Sequence, residues 1–167
     1  MIKPLLLAAL LLPALPAHAA TAPHMSIQSN AQLATPLPFP YDEAANADRD
    51  VAAAKARAKR SGKKLLIDLG GNWCGDCRVL AAIMEVPELK TFLGKHYEIV
   101  SVDVGRFNKN MQVPGHYGIS KLTGGVPALL VINPRTDRIV NGAQLYALEN
   151  ARNMTPQALA DWLAKWV

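Results

Sequence analysis

The chain has 167 residues, 18 Lys+Arg against 13 Asp+Glu, a formal charge of +5, and hydrophobic residues at half its positions. That length supports one domain with a real core. The positive surplus is too mild to mark a nucleic-acid binder, and no flavin, nucleotide or metal motif occurs along the chain.

Residues 1–20, MIKPLLLAALLLPALPAHAA, place Lys3 ahead of an apolar run from Leu5 to Leu15, followed by Ala17-His18-Ala19. This is the layout of a secretory signal peptide with an A-x-A cleavage site. Pro13 and Pro16 break the run, which falls short of the roughly 20 apolar residues needed to cross a bilayer. The expectation is a periplasmic or secreted protein with no stable membrane insertion after cleavage; an uncleaved N-terminal anchor is the alternative. No cysteine follows the cleavage site, so no lipid anchor is expected there.

Residues 21–40 are polar and proline-rich without a usable period, which predicts a flexible linker. The PLPFP stretch within it reads as spacer or as a polyproline ligand. The domain proper is expected over residues 41–167. It opens with an alanine-rich helix over residues 42–60, acidic at its start and basic at its end as the helix macrodipole favours, and stopped by Ser61-Gly62. Seven basic residues fall between Arg49 and Lys64. They read as a solvated helix face, with an anion-binding surface as the sharper alternative.

Leu65-Leu66-Ile67-Asp68-Leu69 is a short apolar run between breakers, as a buried strand would be. From Asp76 the pattern turns helical, with Val79, Leu80, Ile83 and Met84 at steps of three and four. Pro87 is expected to kink or interrupt that helix before Leu89, Phe92 and Leu93 resume it. Residues 97–104 predict a second strand, residues 105–125 a loop with a helical turn near 114–118, residues 127–132 a third strand and residues 138–140 a fourth. Thr155-Pro156 then supplies an N-cap and a first-turn proline. The helix it starts carries Leu159, Trp162, Leu163 and Trp166 on one apolar stripe. The order of elements predicts an α/β fold, a mixed sheet covered on both faces, with central strands apolar on both sides.

The only two cysteines, Cys74 and Cys77, lie within the stretch NWCGDC. Outside the cytosol such a pair can be oxidised. As a staple it would be weak, since so small a loop removes only about 2 kcal/mol of unfolded-state entropy against roughly 4.7 for a 100-residue loop. Residues three apart on a helix lie about 5–6 Å apart on one face, within the separation a disulfide needs. A helix start also favours thiolate over thiol. One sulfur can then attack and its neighbour resolve. The competing reading is metal, copper or zinc. A closed zinc site usually takes four ligands, and only His96, His116, Met84 or Met111 could add to the pair, none at ligand spacing.

Asp68 interrupts an apolar strand six residues before Cys74. Buried and unpaired, its carboxyl would be pushed up and could accept a proton from Cys77; at the strand end it could instead face water.

Ile67-Asp68, Trp73-Cys74-Gly75-Asp76-Cys77, Tyr117-Gly118-Ile119 and Val126-Pro127 together resemble the thioredoxin superfamily over residues 63–167, with a helix added in front. The resemblance implies a thioredoxin fold with a central mixed sheet of four to five strands. It also implies thiol–disulfide exchange with no cofactor beyond the Cys74–Cys77 disulfide. On that pattern Cys74 would attack, Cys77 resolve, Asp68 relay the proton and Trp73 shield the disulfide. Pro127 would be a cis-proline facing the pair, leaving the Val126 backbone free for an extended substrate. Partners would be thiols and disulfides of other exported proteins, with a membrane thiol donor supplying electrons. A non-enzymatic interaction domain on the same fold is the further alternative.

Three departures from the family pattern stand out: Gly75-Asp76 between the cysteines, Ser101 where a lysine is common, and added residues at 120–125 and 143–154. Asp76 in the first helical turn would oppose the Cys74 thiolate, with Arg78 expected to offset part of its charge. That arrangement points to a reductant rather than an oxidant.

Overall fold

The computed structural model describes residues 20–167. Residues 1–19, which carry nearly all of the expected signal peptide, lie outside the described residues.

Helix α1 spans Ala47–Ser61. Asn46 caps it by accepting from the Arg49 amide at 2.9 Å, Asp48 and Asp50 occupy its first turn, and Lys59 and Arg60 its last. Gly62 ends it at φ +72°, a conformation that costs a side-chain-bearing residue more than glycine. Ala54 and Ala58 are fully buried, and their small side chains let the helix axis come close to the sheet. Basic residues on it and just after it meet acids: Arg57 and Lys63 both pair with Glu98, and Lys55 with Asp137.

Four strands follow: β1 (Lys64–Gly70), β2 (Tyr97–Asp103), β3 (Ala128–Asn133) and β4 (Arg138–Ile139). The sheet order is β2-β1-β3-β4, with β1 parallel to β2 and antiparallel to β3, and β3 antiparallel to β4. Side-chain alternation splits the core into two layers. Leu65, Ile67 and Leu69 face α1, whereas Leu66, Leu129 and Val131 face the other helices. On that second side lie α2 (Gly75–Met84), α3 (Pro87–His96) and α5 (Pro156–Ala164), while α4 (Gln112–His116) belongs to the α1 side. Pro87 does not kink one helix; it begins a separate one at the first position, where its missing N–H costs nothing. Thr155 caps α5 through the Ala158 amide at 3.2 Å.

The predicted flexible linker over residues 21–40 is corrected by the structure, because this segment is a strap bonded to the domain. Met25 is 1% exposed within the α2/α3/α5 core, and its amide donates to Gln157 Oε1 at 2.9 Å. Asn30 Nδ2 donates to the carbonyls of Ala151, Arg152 and Met154 at 3.0–3.1 Å. Arg78 donates to the carbonyls of Leu37 and Pro38, and its guanidinium stacks on Phe39 at 4.0 Å. Backbone carbonyls and side-chain amides, rather than an apolar period, anchor the strap.

Candidate active site

Cys74 is the N-cap of α2, and its sulfur accepts from the Cys77 amide at 3.1 Å. The helix begins here because Cys74 is extended while Gly75 and the residues after it are helical, which leaves the first-turn amides directed at the sulfur. Cys74 and Cys77 form a disulfide with Cα atoms 5.3 Å apart. Cys74 is 6% exposed and Cys77 fully buried. Attack from outside therefore reaches Cys74 first.

Around this disulfide the fold gathers the other residues singled out from sequence. Trp73 is 42% exposed; its Nε1 donates to Gly105 O at 2.7 Å, and Arg106 stacks on its ring at 4.2 Å. The Val126 carbonyl oxygen stands 3.4 Å from Cys74 Sγ, and the Val126–Pro127 peptide is cis. Trp73, Cys74, Gly75, Asp76, Val126 and Arg152 share one open cleft. Phe107, also in that cleft, was not singled out from sequence. It is 43% exposed and packs edge-on against Trp73 at 5.9 Å. Its φ of +65° is rare for a residue with a side chain, so the loop spends conformational energy to present this ring.

Asp68 is buried, in register with Ser101 on β2 and Leu129 on β3. Between its two readings, water-facing or buried, the structure selects burial. The site is not unpaired, however: the Tyr41 hydroxyl donates to Asp68 Oδ1 at 2.9 Å. Burial pushes the Asp68 carboxyl up to about 7, while the Tyr41 hydrogen bond and the nearby Ser101 hydroxyl pull the other way. Ser101, in the lysine's place, thus supplies a hydroxyl and no charge. Tyr41 carried no sequence signal beyond its place at the domain's first residue.

The electrostatic partner expected for Asp76 is corrected. Arg78 is turned to the strap, and Arg152 takes the role. Its amide donates to Asp76 Oδ1 at 2.9 Å, and Nε and Nη2 reach Oδ2 at 3.0 and 2.9 Å. Arg152 sits on a 3-10 turn, Ala151–Asn153, inside the added residues 143–154. The second addition, 120–125, meets the first: a Cβ on Gly124 would overlap the Tyr146 ring, and the Tyr146 hydroxyl donates to Lys121 O. Both additions therefore build the same wall of the cleft.

The residues weighed for metal lie elsewhere. His116 bonds Asp137 at 2.9 Å and packs on Tyr117, His96 packs on Phe92, and Met84 and Met111 belong to the two cores. None of these lines the Cys74 cleft. Among the described residues no group of three or more His, Cys, Asp or Glu is placed to hold a metal ion.

Residues 45–134 match the family model described as Thioredoxin-like. Thioredoxin from Bacillus subtilis is 33% identical over 75 residues, 45% of this chain and 64% of that protein. Thioredoxin from Listeria monocytogenes is 29% identical over 83 residues, 50% of this chain and 72% of that one. The matched segment thus spans about two thirds of these thioredoxins. The crystal structure of a disulphide isomerase from Xylella fastidiosa superposes with a TM-score of 0.71 at 36% identity, covering 77% of this chain and 97% of that one. The chain belongs to the thioredoxin-like family of thiol–disulfide oxidoreductases.

Proposed function

We propose that the protein is an exported oxidoreductase that reduces disulfides of other exported proteins through Cys74 and Cys77. The observation that carries the exchange chemistry is the asymmetry of the pair: Cys74 at a helix N-terminus on the cleft, Cys77 one turn deeper and buried. In the reduced protein, the α2 amides favour a Cys74 thiolate. That thiolate attacks a substrate disulfide, one substrate sulfur leaves, and a mixed disulfide forms. Cys77 then loses its proton to Asp68 and attacks Cys74 Sγ, which releases the second substrate thiol and closes the Cys74–Cys77 bond. Trp73 and Phe107 supply apolar surface beside the sulfur. Pro127 holds the turn that presents the Val126 backbone to an extended substrate segment. The redox centre is the cysteine pair itself.

Export rests on the pattern of residues 1–20, and electrons would come from a membrane thiol donor. The reductive direction rests on a carboxylate, not a cation, between the cysteines. Asp76 stays close to Cys74, and Arg152 shares its charge. A potential in the lower half of the range between about −120 and −270 mV is expected. Equilibration with glutathione checks it, and a value above about −170 mV would overturn the direction. Activity itself is tested by insulin reduction. Turnover by the wild type that disappears in Cys74→Ser is expected, and an inactive wild type would leave only a binding domain.

A second reading is isomerase action, favoured by the name of the Xylella fastidiosa protein alone. Reactivation of a scrambled multi-disulfide protein without added reductant would support it.

A further inference from the structure

The geometry points to Tyr41 as the positioning residue of the proton acceptor, so that the turn between the strap and α1 is a working part of the redox centre. This rests on the exchange reaction proposed above, in which Asp68 takes the proton that leaves Cys77.

Three observations converge on it. First, the Tyr41 side chain, buried at 2% exposure, donates its hydroxyl to Asp68 Oδ1 at 2.9 Å. Second, the same hydroxyl and the Cys77 sulfur crowd one point: a Cβ at Gly70 would overlap the Tyr41 hydroxyl and lie 2.9 Å from Cys77 Sγ. Gly70 is thus glycine for lack of room, and the missing side chain is what lets phenol, carboxylate and thiol meet at the end of β1. Third, the Tyr41 backbone is clamped in both directions by Asn72, two residues before Cys74. The Tyr41 amide donates to Asn72 Oδ1 at 3.1 Å, and Asn72 Nδ2 donates to Tyr41 O at 2.8 Å. The cysteine motif therefore fixes the residue that fixes Asp68.

Burial and the neighbouring Asp68 charge push the Tyr41 phenol far above its ordinary value, so it remains a donor throughout the working pH range. A donor favours the ionised carboxylate, the form that accepts a proton. Other groups face this pair as well: Ser101 lies opposite Asp68 in register on β2, and Asp103 at the end of β2 acts on Tyr41. Asp103 is itself held by Lys109 at 2.8 Å. β3 presents only Leu129 opposite Asp68. On the far side Asp68 and Ser101 line a cleft of about 480 Å³ walled by Pro38 and Pro40 of the strap, with the Glu85–Lys90 pair, 2.7 Å apart, among its lining. That cleft gives the proton a way to solvent that does not cross the substrate.

The Cys77 S–H bond breaks and its proton goes to the Asp68 carboxylate. The sulfur electron pair forms the bond to Cys74 Sγ, and the departing substrate sulfur takes the electrons of the broken mixed disulfide and a proton from water.

The test is the single-turnover rate of the resolving step, followed by tryptophan fluorescence across about pH 5–9 with a peptide disulfide. In the wild type the rate should rise as Asp68 ionises. Tyr41→Phe should move that limb up by about one pH unit and slow the step about fivefold at neutral pH. Asp68→Asn should abolish the limb, and Asn72→Ala should move it in the same direction as Tyr41→Phe. A limb unmoved by Tyr41→Phe, or one surviving in Asp68→Asn, overturns the inference. Should Tyr41→Phe not fold, Asn72→Ala carries the test. An inactive wild type would defeat the proposed function instead. In that case infrared titration of the Asp68 carboxyl still decides the inference: an upward move in Tyr41→Phe supports it, and no move overturns it.

Discussion

Arg152 and Asp76, 76 residues apart, form a three-bond pair beside the redox disulfide, with one bond from the Arg152 amide and two from its guanidinium. Asn30 of the strap holds the turn that carries Arg152 by binding two of its carbonyls, Ala151 and Arg152, and that of Met154 just after it. The charge next to Cys74 is thus set by a residue from an added loop, and that loop is fixed by a segment ahead of the domain's first helix.

Arg152→Ala should expose the full Asp76 charge to Cys74. Opposing the thiolate, it should raise the Cys74 pKa in the reduced protein by about half a unit to one unit and lower the reduction potential. Asp76→Asn should do the reverse, since Arg152 is then left as an uncompensated cation. The double variant should fall between the two. Thiolate absorbance against pH measures all three, and an unchanged Cys74 pKa in both single variants would refute this electrostatic reading.

Asp68 should make stability fall as pH rises. Its folded pKa of about 7 lies above the ordinary carboxyl value of 3.8. Between those values the folded protein binds more protons than the unfolded chain, so stability is greatest below the lower value and decreases towards and through the upper one. Asp68→Asn removes this pH dependence and should stabilise the protein more at pH 8 than at pH 5, by an amount on the order of a few kcal/mol that appears as a larger rise in Tm at pH 8. Melting curves of the oxidised protein decide it; an equal change at both pH values would be the contrary result.

Asn30→Ala should destabilise the protein by about 1 kcal/mol, because part-buried and exposed carbonyls exchange their common donor for water. Loosening the Arg152 turn should also move the Cys74 pKa in the direction of Arg152→Ala. Urea denaturation and the same thiolate titration read both effects. A destabilised variant with an unmoved Cys74 would separate the strap from the site.

Trp73→Ala and Phe107→Ala should each raise KM for a protein disulfide about tenfold, the loss of roughly 1.4 kcal/mol of apolar and edge-to-face contact. The rate with a small aliphatic disulfide should change little, since such a substrate does not extend over the rings. Parallel kinetics with the two substrates is the check, and equal losses on both would show that the rings act on the sulfur rather than on substrate binding.

Much of the fold was legible because its signals are local. The apolar run at 65–69, the three- and four-residue steps after Asp76 and the Thr155-Pro156 helix start all correspond to elements in the structure. Of the two outcomes expected at Pro87, a kink or an interruption, the structure shows the interruption, with proline at the first position of a separate helix. The strap was not legible, since its anchors are Asn30, Gln157 and backbone carbonyls rather than a hydrophobic period. Around the cysteines, the pair itself was legible from its spacing, whereas Trp73, Val126 and Pro127 were legible only through the resemblance to the thioredoxin superfamily. Tyr41, Phe107 and Arg152 were missed because each comes from a distant segment, and neither an unusual φ nor a two-way amide clamp leaves a mark in composition.

The central claim is that Cys74 is the sulfur that meets substrate and Cys77 the one that releases it. The most direct measurement mixes reduced Cys77→Ser protein with a disulfide-bearing protein and maps the product by mass spectrometry under non-reducing conditions. A stable mixed disulfide on Cys74, absent when Cys74→Ser protein is used instead, is the expected result. No adduct on Cys74, or an equal yield through Cys77 in the Cys74→Ser protein, would contradict it.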